Sequence, residues 1–160
     1  MDLYYKRASL ADIDILTKTR VMVLRAANKL DDSVDMHEVE QESTAYYANA
    51  LKDGSHVAYL VYDDTQIVGA GGVSYYQVMP TCSNPSGKKA YIMNMYTHPD
   101  YRRQGIAWYT LDLLVKEAKD QGINAISLEA TDMGRPLYEK YGFVTLHGEM
   151  TLPKESKCCC

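Results

Sequence analysis

Residues 88–114 read KKAYIMNMYTHPDYRRQGIAWYTLDLL, and the fold turns on how this run divides. Residues 90–97, from Ala90 to Thr97, are rich in β-formers and are expected as a strand. The basic turn RRQGIA follows: Arg102, Arg103, Gln104, Gly105, Ile106 and Ala107. Gly105 lets the backbone fold tightly, and Ala107 keeps the surface small where a ligand could approach. Ile106, Leu113, Leu114 and Ala118 then form the apolar stripe of a helix running to about Gln121, where Gly122 supplies a stop. A helix opening leaves backbone N–H groups unpaired at the positive end of its dipole. With two arginines beside it, this one reads as an anion site suited to a pyrophosphate.

Arg102-x-x-Gly105-x-Ala107, entered from a strand through residues 96–101, resembles the acyl-CoA signature Q/R-x-x-G-x-G/A of the GNAT N-acetyltransferases. A second block, residues 134–143 (GRPLYEKYGF), looks like the segment that follows the fifth strand in that family. The two blocks stand in the family's order and at about its usual separation. The resemblance covers nearly the whole chain and is weakest before about Val57. It implies an α/β fold: one GNAT domain over residues 1–153, whose mixed central sheet is splayed between the fourth and fifth strands and flanked by helices. Residues 154–160 are expected as a flexible tail ending in Cys158, Cys159 and Cys160.

A chain of 160 residues can bury roughly two-thirds of its unfolded surface in one domain. A membrane span would need an apolar run of about 18 residues, and the sequence offers neither that nor a signal-peptide pattern. The formal charge of −4 argues against broad nucleic-acid binding, so positive charge for an anionic cofactor must be concentrated locally, as at Lys88, Lys89, Arg102 and Arg103. Cys82 stands alone, and adjacent terminal cysteines make poor disulfide partners, which fits a reducing cytoplasm. No Cys/His spacing suggests zinc, and no metal is expected.

Taken in order, residues 3–8 read as a first strand. Ser9 and Asp12 stand at capping-box positions before a helix that ends near Asn28. A second helix is expected from near Ser33 to Lys52, with Asp53-Gly54 as its stop. Its carboxylates, including Asp31, Asp35, Glu38 and Glu42, are either a solvated face or a field that attracts a cationic amine. His37 reads as a surface residue. Residues 56–62 and 67–78 read as two strands joined by a turn at residues 63–66. The glycines Gly69, Gly71 and Gly72 precede a β-rich run where a dinucleotide-binding turn needs a helix, so they mark bulging or close backbone approach. Residues 79–87 form a loop that places Tyr75 and Tyr76 near an open mouth. Residues 124–130 form a fifth strand, a short helix carries Tyr138 and Tyr141, and residues 143–152 make a last strand.

Acetyl transfer to an amine requires a held cofactor, a neutral amine, a stabilised oxyanion and a proton for the leaving thiolate. The resemblance implies that acetyl-CoA is bound through Met95, Tyr96 and Thr97 on the fourth strand and through residues 102–107. It also implies that a backbone N–H near Met95 faces the acetyl carbonyl. Tyr138 occupies the family's general-acid position; a phenol near pKa 10 can protonate a thiolate whose acid lies near 8.5. Its other reading is a half-buried packing residue. Family members often carry a glutamate base on the fourth strand, where this chain offers only Asn94. Glu129 is the nearest carboxylate in sequence, as a base or as an ion-paired strand residue. Thr131 stands where the family often has Asn, either to bind the pantetheine or to cap a helix. Trp108 is expected to pack against neighbouring helices.

The reading that follows is a cytoplasmic acetyl-CoA-dependent N-acetyltransferase acting on a small, cationic primary amine, with Asn94, Tyr75 and Tyr76 near the acceptor. Its partners would be that amine and, as is common in the family, a second copy in a homodimer. A protein or peptide N-acetyltransferase and a non-catalytic acyl-CoA-binding module are the competing readings.

Overall fold

The apolar runs between His56 and Thr97 build the centre of the sheet in the computed structural model, which describes residues 1–154. The strands are β1 (Leu3–Arg7), β2 (His56–Asp63), β3 (Gln66–Gln77), β4 (Lys88–Thr97) and β5 (Ala125–Leu128). They lie in that order across one mixed sheet, antiparallel except for the parallel pair β4–β5. The described chain forms two compact units, Met1–Glu129 and the part from Ala130 onward.

Strand alternation sorts the core of the first unit into two layers. On one face Ala58, Leu60 and Ala70 meet Leu16 of α1 (Ile13–Asn28) and Tyr47 of α2 (His37–Asp53). On the other, Val61 and Val68 meet Ile106 of α3 (Ile106–Asp120). Leu60 and Val61 are neighbours in sequence, both fully buried, and serve opposite layers. Each such burial stabilises by about 1.5–3 kcal/mol. The helices on the first face are also tied to each other, Thr17 Oγ1 lying 3.1 Å from Thr44 Oγ1. Across the second, Glu117 of α3 accepts from Arg7 Nε (2.8 Å) and from the Tyr59 hydroxyl (2.7 Å).

Local chemistry sets the boundaries. Asp12 Oδ2 accepts the Ser9 N–H at 2.8 Å, and a short 3-10 turn, Leu10–Asp12, runs straight into α1. The second helix starts at His37, four residues later than Ser33. Asp31 Oδ1 accepts the Ser33 N–H and Asp35 Oδ1 accepts the His37 N–H, so both aspartates hold turns that compete with helix. Glycine is obligatory at Gly87, where φ is 67° and a Cβ would run into the Val78 carbonyl; the Val78 N–H donates to the Gly87 carbonyl (2.8 Å) and closes the β3–β4 loop.

One expectation fails. Residues 143–152 form no strand; the regular structure of the second unit is α4 (Arg135–Tyr141). Their alternation is interrupted by Gly148 at φ 98°, and no described strand pairs with them. A strand exists only through a partner for its backbone groups, which sequence alternation alone cannot supply. Cys158, Cys159 and Cys160 lie outside the described residues, while Cys82 is a free, exposed thiol. Among the described residues no helix is long and apolar enough to cross a membrane.

Candidate active site

The parallel pairing of β4 with β5 ends at Ile92↔Leu128, whereas β4 continues five residues further, to Thr97. That is the expected splay, and it leaves one edge of Met93–Thr97 without a strand partner. The other edge is bulged. Ala70 pairs with Tyr96 and Gly72 with Met93, so two steps on β3 match three on β4. Asn94 absorbs the extra residue at φ 60°. The bulge sets the Asn94 side chain towards α1, where its Oδ1 accepts from Arg20 Nη1 at 3.2 Å.

Beyond β4, His98 N–H donates to the Val68 carbonyl (2.8 Å) and the Tyr101 hydroxyl to Asp63 Oδ2 (2.8 Å), which anchors the turn on the β2–β3 hairpin. Arg103 and Gly105 both take positive φ, 64° and 82°. Gly105 is the N-cap of α3; having no side chain, it leaves the first N–H groups of the helix uncapped, and a Cβ there would meet nothing within 4 Å. Ile106 is buried and fixes the helix start, whereas Arg102, Arg103 and Gln104 are exposed. Among the described residues neither arginine forms an ion pair. The Thr97 hydroxyl, at the end of the open strand, is buried with no hydrogen-bond partner. Free N–H groups, two unneutralised cations, open space above a glycine and an orphaned hydroxyl are a donor set that fits a nucleotide pyrophosphate with a polar arm.

On the α1–α2 face lies a cavity of about 720 Å³, within the range that takes small molecules. Asn94, Tyr75 and Tyr76 border it, as the sequence placed them. Tyr75 has a second allegiance: burial, then the Glu117 carboxylate of α3, push its phenol up to about 12, and its hydroxyl is buried without a partner. Arg20, Tyr46, His56 and Ser74 also border it, among others that the sequence did not mark. His56 is 4% exposed, its ring lies against Gly72, and its Nδ1 is 2.9 Å from Tyr46 Oη and 3.0 Å from Ser74 Oγ. Those two oxygens are 2.7 Å apart and close a three-membered hydrogen-bonded ring. Arg20 did leave a trace, since it falls four residues after buried Leu16 and three before buried Val23, on the stripe a cation should avoid. His56 and Tyr46 left none.

Glu129 is exposed, one residue past β5, and is not among the residues that border the cavity. Trp108 is 38% exposed in the first turn of α3. In the second unit, Thr131 Oγ1 accepts the Gly134 N–H at 3.1 Å and so caps the turn before α4. The Tyr138 ring packs on Gly134, where a Cβ would come within 3.1 Å of it, and edge-on to Phe143 at 6.1 Å between centroids. Tyr141 also packs on Phe143, at 6.0 Å. Burial raises the Tyr138 pKa above 10, so its hydroxyl keeps its proton at neutral pH.

An α/β sheet splayed beside an anion turn and an open cavity of small-molecule size describes an acyltransferase. Residues 24–143 match the profile of the Acetyltransferase (GNAT) family, and the chain belongs to that family. A structure described as a predicted acetyltransferase with acetyl-CoA, from Clostridium acetobutylicum, is 34% identical; the match covers 95% of this chain and 96% of that one, with a TM-score of 0.86. A GCN5-related N-acetyltransferase from Ralstonia eutropha JMP134 shares the fold at 24% identity, 96% and 99% coverage and a TM-score of 0.83. So does an aminoglycoside acetyltransferase from an uncultured soil metagenomic sample, at 18% identity, 97% and 100% coverage and a TM-score of 0.72. Comparison with curated proteins gave no match.

Proposed function

We propose that the chain is a cytoplasmic N-acetyltransferase that moves the acetyl group of acetyl-CoA to the primary amine of a small molecule. The observation that carries this reading is the junction at the end of β4. There an unpaired strand edge, an uncapped helix N-terminus with two arginines outside the described ion pairs, and a cavity of about 720 Å³ come together in one unit. Met95, Tyr96 and Thr97 would hold the pantetheine arm. Arg102 to Ala107 would hold the pyrophosphate, through backbone N–H groups and the two guanidinium groups. The bound donor supplies an activated thioester carbonyl.

The chain's residues divide the remaining work. The Met95 N–H would stabilise the developing oxyanion. Glu129, exposed and without a described ion pair, is the proposed proton acceptor for the amine. The neutral nitrogen forms the C–N bond as the C–S bond breaks, the electron pair leaves with sulfur, and the nitrogen releases its surplus proton to solvent to give the amide. Tyr138 would give that sulfur its proton. Glu38 and Glu42 border the cavity from α2 and favour approach of an ammonium. The cavity's volume, about 720 Å³, suits a small acceptor.

Thiol release from acetyl-CoA, measured against a panel running from polyamines to amino acids and short peptides, tests this reading. Tyr138→Phe should cut kcat by about 10²- to 10⁴-fold while CoA affinity holds. CoA binding with no turnover on any acceptor would replace the enzyme with a binding module. Failure to bind CoA would remove the anion-site reading itself.

A further inference from the structure

The cavity holds one cation, Arg20, that no carboxylate neutralises among the described residues. Arg20 is half-buried in the α1 wall, and burial pulls its pKa below the ordinary arginine value. Other arginines are differently placed. Arg7 pairs with Glu117, Arg135 with Glu139, and Arg25 donates to the carbonyls of Asp31 and Val34. The described bond of Arg20 is one, to Asn94 Oδ1, out of five N–H donors. Among the described residues no carboxylate pairs with it, although Glu38 and Glu42 border the same cavity from exposed positions. The nearby polar groups, Tyr46, Ser74 and a neutral His56, offer it no counter-charge. A guanidinium so placed is poorly solvated, and an incoming anion gains a bidentate, charge-assisted contact there that water matches badly.

We propose that Arg20 is the anion-binding group of the acceptor site, and that the acceptor is a small amine that also carries a carboxylate or phosphate. Its ammonium end is drawn by Glu38 and Glu42 and its anionic end by Arg20, with Asn94 fixing the guanidinium plane. The proposal rests on the cavity being the acceptor site of an acetyltransferase, and it narrows that site to amphoteric molecules, excluding simple polyamines.

Matched probes separate the charge from the frame: tyrosine against tyrosinamide and tyramine, 6-aminohexanoate against its amide, and aminoethyl phosphate against ethanolamine. Each is measured two ways, by thiol release with acetyl-CoA and by calorimetric titration into the CoA-saturated protein. The expected result is that an anionic probe exceeds its neutral match by about 10- to 100-fold. Which pair discriminates identifies carboxylate or phosphate. Arg20→Gln should abolish the preference through KM and leave the KM for acetyl-CoA unchanged, and Arg20→Lys should retain part of it. Equal use of neutral and anionic probes by the wild type, or a preference that survives in Arg20→Gln, overturns the proposal. Turnover confined to neutral amines overturns it while acetyl transfer stands. Anion-selective binding without turnover supports it and removes acetyl transfer. If Arg20→Gln does not fold, the wild-type pairs and Arg20→Lys still decide.

Discussion

Burial of His56, and then its proximity to Arg20, lower its pKa from 6.5 to about 4, so the ring is neutral wherever the acceptor amine is used. Its Nδ1 is engaged by Tyr46 Oη and Ser74 Oγ, so His56 serves to hold those two side chains in place. The same shift makes a stability prediction. Above pH 6.5 the histidine is neutral in both folded and unfolded chains. As pH falls from 6.5 towards 4 the unfolded chain takes up a proton that the folded one refuses, so stability is lost across that window. The loss is on the order of 3 kcal/mol when complete. Urea unfolding at pH 7 and pH 4.5 checks this against His56→Gln, which keeps a hydrogen-bonding side chain and does not titrate. The wild type should lose clearly more stability than the variant; parallel losses would show that His56 is not the titrating group. No local signal separates His56 in the sequence from exposed His37. Its burial comes from Tyr46, Tyr47 and Gly72, which fold onto it from two other elements.

The middle of β3 was legible because its glycines did not fit a phosphate loop, and their role as sites of close approach is now explicit. A Cβ at Gly71 would stand 2.7 Å from Thr110 Cγ2, 2.8 Å from Met95 Sδ and 2.9 Å from Leu114 Cδ1. One at Gly69 would meet Ile106 Cγ2 at 2.8 Å. These absences let α3 settle onto β3 and bring the anion turn up to the end of β4. Gly71→Ala should therefore cost about 1–3 kcal/mol by overpacking, seen as a lower urea midpoint with an unchanged slope. It should also raise the KM for acetyl-CoA, because Met95 must move. A variant as stable as wild type would mean that the Met95 and Leu114 side-chain ends yield freely. Elements and the anion turn could be read in advance because their signals are local: strand periods, a helix stripe, and a glycine between arginines and a small residue. The cavity could not, since its wall is shared among side chains of α1, α2, β2, β3 and β4. Arg20 and Asn94 are 74 positions apart and meet only through the bulge.

Over the whole molecule, the sheet and its two helical layers follow the sequence from Leu3 to Leu128, and the departure comes after α4. Val144, Leu146, Met150 and Leu152 have the spacing of a half-buried strand, yet Val144 is 88% and Met150 96% exposed. Apolar alternation records what a segment could bury, whereas pairing requires a free edge in register, and Gly148 breaks the run before it is long enough to dominate. Amide hydrogen exchange separates the two outcomes. The N–H groups of β2 and β3, laddered on both sides over much of their length, should exchange only through the largest openings of the sheet. Those of residues 144–152, for which no backbone hydrogen bond is described, should exchange close to the unprotected rate, while Phe143, which donates to the Tyr138 carbonyl at 2.9 Å, is slower. Protection at every second residue across 144–152 would mean instead that the segment finds an edge in solution. In that case the exposed apolar row belongs to a sixth strand, as its spacing first suggested. Repeating the measurement with CoA bound would then tell whether the cofactor or a second chain supplies the order, because only the latter depends on protein concentration.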